Sequence, residues 1–397
     1  MKFALLGSDQ QSIALVQVAL AAGHQIVWCG DIDISPNSPL AELFSSPPAD
    51  LGDQWEALYD LDICDAVIVG QGSTPADQRA EQINQLTKNG VALLTTFPVV
   101  DSVLAFYEID MARNESDAVL HHFNPLVEQS QIISDCETWV REQHPQLGKI
   151  EQIVFNRPLA TRTREQALWH FARDVELLNQ VAGRLNRLGA HGSPDQQATY
   201  AGLSVQLLGN NNIPVRWEVG PVGQSPNPHL TLIGEHGTIN IEFDEQGQAL
   251  QIETSHAGQS QTTQLEQASG AQAALDRFVA SLRSENTQTT TWPTALHAME
   301  LADTIEISLR RGRMIDVHNQ QLTEQLAFKG TMSALGCGVL MILPPLLLFL
   351  GWLAGLAGFP IADYWLHALL LLLVAFLLLQ VLPKLLLPSP DDSSTKQ

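Results

Sequence analysis

A short apolar run, Phe3 to Leu6, meets Gly7 and a polar turn, continues into a helical pattern (Ile13, Val16, Val18, Leu20) and closes on a second apolar run, Ile26 to Trp28, followed by Asp31. Few folds accept that order. It is the layout of a parallel βαβ unit, with a buried strand, a tight turn, a helix whose N-terminus faces the ligand side, and an acid ending the second strand. In units of this kind that bind dinucleotides, a G-x-G-x-x-G fingerprint fills the turn: its second glycine admits the pyrophosphate and its third lets helix and strand approach. Here Gly7 keeps the first position, while Asp9 and Ser12 hold the second and third. A carboxylate at this point opposes the attraction of a helix N-terminus for phosphate.

The alternation continues. Cys64 to Val69 reads as a buried strand followed by Gly70, Gly72 and Pro75, then come a helix over Ala76 to Asn89 and a strand over Val91 to Thr95 that ends at Phe97 and Pro98. A helix over Ser102 to Asn114 and a strand over Ala118 to His122 complete the pattern. The class is α/β, a Rossmann-like parallel sheet over residues 1–123, with any ligand in the crevice beyond the carboxyl ends of its strands. Gly7, Gln10, Gln11, Asp31, Gly70, Gly72 and Pro98 line that crevice and are the expected cofactor contacts, with Asp31 placed for a ribose hydroxyl and therefore for NAD rather than NADP.

From Lys149 the pattern changes to period-two strands: Tyr200 to Leu207 with Val215 to Val219 form one hairpin, and Leu230 to Ile233 with Thr238 to Phe243 a second. Ala249 to Ile252 adds a strand, and helices are expected over Glu165 to Ala182, Ala273 to Leu282 and Pro293 to Arg310. Residues 124–330 therefore read as an α+β domain with an open antiparallel sheet covered on one face.

The formal charge of −22 lies almost wholly before residue 331 and no basic stripe offsets it, which argues against a nucleic-acid partner. Cys29, Cys64, Cys136 and Cys337 show no metal or disulfide spacing and read as buried thiols of a reducing compartment. His121 and His122 would point to opposite faces of a strand, so no metal site is expected there. Thr331 to Ile361 and Tyr364 to Leu382 are uncharged runs, each long enough to cross a hydrocarbon core of about 30 Å. Two transmembrane helices are expected over residues 331–388, ahead of a polar tail over 389–397. Lys329 and Lys384 flank the hairpin while its connection lacks Lys and Arg, which places both ends and the main body on the cytoplasmic side of the membrane.

Four stretches together resemble the glucose-fructose oxidoreductase, inositol dehydrogenase and MocA family of NAD(P)-dependent oxidoreductases. They are the opening βαβ unit, Asp65 to Val100, His229 to Phe243 and Ala274 to Arg313. The resemblance implies an NAD-linked enzyme acting on a sugar, polyol or related metabolite, with oligomers formed through the second domain. Its departures fall on the chemistry. Phe97 stands where the family has the lysine of Glu-Lys-Pro, and Arg173 stands where it has the catalytic histidine. A guanidinium cannot accept a hydroxyl proton near neutrality, though it can bind an anion bidentately. The candidate catalytic residues are thus His170 as a substitute base, Arg173, and Glu176 in the place of the family's acid. The alternative function is a catalytically inactive descendant that binds a metabolite or serves as a scaffold at the membrane.

Overall fold

The computed structural model describes residues 1–317, except 33–38, 45–53, 61–62, 193–199, 210, 224–225, 266–268 and 284–289. The expected membrane spans, tail and Cys337 lie outside the described residues. Among those described, no helix is long and apolar enough to cross a membrane.

Five strands, β1 (Lys2–Leu6), β2 (Gln25–Gly30), β3 (Ala66–Val69), β4 (Leu93–Thr96) and β5 (Leu120–Phe123), form a parallel sheet in the order β2-β1-β3-β4-β5. The order reverses between β1 and β3, so the crevice opens where Gly7 and Gly70 follow those strands. Near-continuous apolar strands bury both faces. Ala4, Leu6, Val67 and Val69 join one core with α3 (Ala76–Lys88) and α4 (Val103–Ser116), while Phe3, Leu5, Ala66 and Ile68 join a second with α1 (Gln10–Ala21) and, through Leu40, the short α2 (Pro39–Leu43).

The second sheet collects β6 (Ile150–Pro158), β7 (Leu185–His191), β8 (Ser204–Gly209), β9 (Val215–Gly220), β10 (His229–Gly234), β11 (Gly237–Phe243), β12 (Ala249–His256), β13 (Gln259–Gln264) and β14 (Ile315–Asp316). Its order is β13-β12-β11-β10-β6-β9-β8-β7-β14. The sheet is mixed rather than antiparallel throughout, because β6 and β9 pair in parallel. The helices are α5 (Ser130–Glu142), α6 (Arg164–Ala182), α7 (Gly270–Arg283) and α8 (Trp292–Arg311). One of them corrects the expected division at residue 123. The apolar stripe of α7 (Ala274, Leu275, Phe278) lies in the core of the first sheet with Leu15, Val16 and Ala19 of α1, so the chain returns to its opening layer after building the second sheet. Cys29, Cys64 and Cys136 are buried, and burial pushes the thiols of Cys64 and Cys136 up to about 11 and about 12.

Candidate functional site

The β1 to α1 turn is built around a carboxylate. Asp9 is the N-cap of α1: its Oδ1 accepts the Ser12 N–H at 2.8 Å, and its own N–H donates to Ser12 Oγ at 2.8 Å, a capping box that completes the first turn. Asp9 Oδ2 then accepts the Gln71 N–H at 2.9 Å and the Thr96 hydroxyl at 2.8 Å. One side chain therefore ties together the carboxyl ends of β1, β3 and β4. The anion that this helix N-terminus attracts is supplied by the chain itself.

The second expected contact is also taken. Asp31 accepts the N–H groups of Ser73 and Thr74, each at 3.1 Å, the Ser73 hydroxyl, and Arg79 Nη2. Arg79 is 1% exposed and also donates to the Gln71 carbonyl (3.2 and 3.1 Å) and to Gln82 Oε1 at 2.8 Å. Partial burial pushes the Asp31 carboxyl up, but the Ser73 and Thr74 hydrogen bonds and the Arg79 charge prevail and hold it below its ordinary range. The glycines serve this cluster. At Gly7, with φ of 79°, a Cβ would fall 2.6 Å from Arg79 Nη2, and at Gly72 it would collide with the Asp31 carboxylate. Two glutamines close the remaining width. The Gln11 amide exchanges hydrogen bonds with the Phe97 backbone (3.2 and 3.3 Å), and Gln71 Nε2 donates to the Pro98 carbonyl at 2.8 Å.

Phe97 is fully buried, edge-on to Phe106 with ring centroids 6.0 Å apart and 5.1 Å from His122, so the residue at the lysine position is a core aromatic. On α6, His170, Arg173 and Glu176 separate. Glu176 lies in a buried knot, accepting from His122 Nε2 at 2.6 Å, Asn124 Nδ2 at 2.8 Å and the Thr294 hydroxyl at 3.2 Å, and it lines neither cavity described below. Burial raises its carboxyl, yet His122 and these hydrogen bonds hold it below the usual value. His121 turns the other way, toward Ser281 at 3.2 Å. Among the described residues no three His, Cys, Asp or Glu side chains converge on a metal position.

His170 and Arg173 open onto different spaces. One cavity of about 330 Å³ is bordered by Gln10, Gln11, Arg173 and Gln246, and another of about 500 Å³ by His170, Arg164 and Glu306; Gln71, Pro98 and Trp169 border both. Burial and the charges of Arg157 and Arg173 push the His170 imidazole down to about 2. It stays neutral but is a feeble proton acceptor.

No family model matches this sequence, and no curated protein does. Solved structures match well. An oxidoreductase from Agrobacterium radiobacter in complex with NAD+, L-tartaric acid and magnesium superposes with a TM-score of 0.61 at 13% identity, covering 80% of this chain and 98% of that one. The chain shares the fold of this oxidoreductase. The WlbA dehydrogenase from Chromobacterium violaceum in complex with NADH and UDP-GlcNAcA gives 0.60 at 16% identity over 81% of this chain and 96% of that chain. An oxidoreductase from Pseudomonas syringae gives 0.63 at 12% identity over 80% and 99%. At these identities the likeness is one of fold, and function is read from the site.

Tested against the residues present, a dinucleotide does not fit. Its phosphates would meet Asp9 where the helix N-terminus should receive them, and its ribose would meet an Asp31 whose carboxylate already has four donors. Sequence reading noticed Asp9 as an obstacle and missed its partners. It also missed Arg79, Trp169 and the buried pair of Arg157 with Asp174, in which Arg157 Nε lies 2.9 Å from Asp174 Oδ2 and Trp217 Nε1 donates to the same oxygen at 2.8 Å. A lone Arg in the apolar alternation of β6 was the available signal for that pair.

Proposed function

We propose that this chain is a small-molecule binding module held at a membrane, built on the dehydrogenase fold and working without hydride transfer. The observation that carries the reading is the occupation of the crevice by Asp9, which accepts from Ser12, Gln71 and Thr96, and Asp31, which accepts from Ser73, Thr74 and Arg79. Two further features support it. The lysine position is the buried Phe97, and the candidate base, His170, is pushed down to about 2. The smaller cavity lies in the crevice itself, between Asp9, Gln10, Gln11 and Arg173, so a ligand of carbohydrate size has room there without a cofactor. The two uncharged runs, Thr331 to Ile361 and Tyr364 to Leu382, supply the membrane attachment in this reading, with the folded body on the cytoplasmic face.

The competing reading is an NAD-linked oxidoreductase of a sugar or polyol, and the fold favours it. It requires an acceptor for the hydroxyl proton, and Arg173 is a cation with no proton-accepting atom. The full chain, incubated with NAD or NADP and a panel of sugars, polyols and sugar acids, is expected to give no change in nicotinamide absorbance. Substrate-dependent reduction of the nicotinamide, matched by a carbonyl product, would overturn the proposal.

A further inference from the structure

Arg173 is 4% exposed and lies over the Trp169 ring, its guanidinium carbon 4.7 Å from the ring centroid. Its Nη2 reaches the Gln246 carbonyl at 3.5 Å, the outer limit of a hydrogen bond, and its buried Nε has no partner among the described residues. A buried guanidinium carries five donors and is costly to leave so poorly satisfied. Trp169 Nε1 is a second buried donor without a partner, and both side chains border the smaller cavity. What the two donors lack is an acceptor. Burial and Arg157 push the Arg173 guanidinium down to about 10, with Asp174, Asp9 and Asp244 acting the other way, so it keeps its charge throughout the neutral range.

The rest of the lining narrows the ligand. Among the described residues bordering this cavity, Arg173 is the sole cationic side chain, and two carboxylates, Asp9 and Glu245, face it. Asp9 is committed to three donors and Glu245 is exposed at the rim. A single negative charge can pair with the guanidinium, whereas a dianionic phosphate would bring a second charge among the two carboxylates with no further cation to meet it. A carboxylate also matches the guanidinium fork bidentately. Gln10, Gln17, Gln246 and Gln248 supply amides that both donate and accept, as hydroxyl groups do. The volume of about 330 Å³ suits one compact molecule.

We infer that this cavity binds a small polyhydroxylated carboxylic acid, with the carboxylate on Arg173 and the hydroxyls on the surrounding glutamine amides. The inference rests on the reading of the crevice as a binding site that takes no nicotinamide.

Calorimetric titration of the full chain with gluconate, glucose and a glucose phosphate tests it. Gluconate is expected to saturate, with glucose weaker by at least about tenfold and the phosphate no tighter than gluconate. Arg173→Met is expected to weaken gluconate by roughly tenfold to hundredfold, the range for charge-assisted hydrogen bonds, while leaving glucose unchanged. Arg173→Lys, which keeps the charge and loses the fork, should fall between. Without ligand, Arg173→Met should melt at or above the wild-type temperature, since it removes a poorly satisfied buried charge. The inference is overturned if gluconate binds no tighter than glucose, if the phosphate is preferred, or if Arg173→Met leaves gluconate affinity intact. It is equally overturned if gluconate does not bind and both variants melt lower, which would assign Arg173 a structural part. Saturable NADH binding would sink the underlying reading instead, and the gluconate titration would still decide this one.

Discussion

Replacing Arg157 by Met is expected to cost about 4 kcal/mol of folding stability, within the range for breaking a buried ion pair by removing one partner. Asp174 is fully buried and Arg157 is 4% exposed, so neither group can recover water when the other is lost. The Met variant leaves the Asp174 carboxylate with the Trp217 N–H and little else. Chemical denaturation of the full chain measures the loss. The double replacement Arg157→Met with Asp174→Leu removes both charges and should recover more than half of it, because a buried pair exchanged for apolar side chains is often close to neutral. A single variant as stable as wild type would show that the pair does not hold α6 to β6. That attachment matters for the site. Asp174 faces the second sheet, so its neighbour Arg173 faces the smaller cavity.

Replacing Arg79 by Met is expected to cost roughly 3 kcal/mol, the low end of the same range, because Asp31 keeps its Ser73 and Thr74 donors. The effect carries a pH signature. Asp31 has a folded-state carboxyl below its ordinary value of 3.8, so its contribution is fully present above that value and is lost as pH falls through the folded value. Denaturation curves of wild type and Arg79→Met should therefore draw together as the pH is taken below about 4. A gap that persists unchanged in acid would mean that Arg79 acts through packing against Gly7 rather than through Asp31.

The first sheet was legible because its strands are short apolar runs that alternate with longer helical patterns, the order of a parallel sheet buried on both faces. The second sheet was legible only where one face is dry. Ser204 to Gly209 and Val215 to Gly220 alternate and were found, whereas Gln259 to Gln264 is exposed at every position and carries no period to read. The apolar stripe of α7 announces a helix but not its partner, which only the packing against α1 reveals. The site was harder still. Asp9 bonds to residues 62 and 87 positions away, and a sequence gives no sign that a capping acid will also reach the ends of two other strands. Arg79 sat in a polar helix where a solvated face was the natural expectation, and burial alone distinguishes it. Glu176 kept the acidic character of the family position, and the structure places it in a knot with His122 and Asn124, away from the cavities.

The proposed function requires that the carboxylates of Asp9 and Asp31 take the places of a dinucleotide's phosphate and ribose contacts. Calorimetric titration of NADH and NADPH into the full chain, with thermal stability followed in parallel, tests it most directly. No saturable heat and no rise in melting temperature are expected at millimolar cofactor from a chain that melts cooperatively. Saturable binding of either nucleotide would contradict it, because it would require Asp9 to leave Gln71 and Thr96.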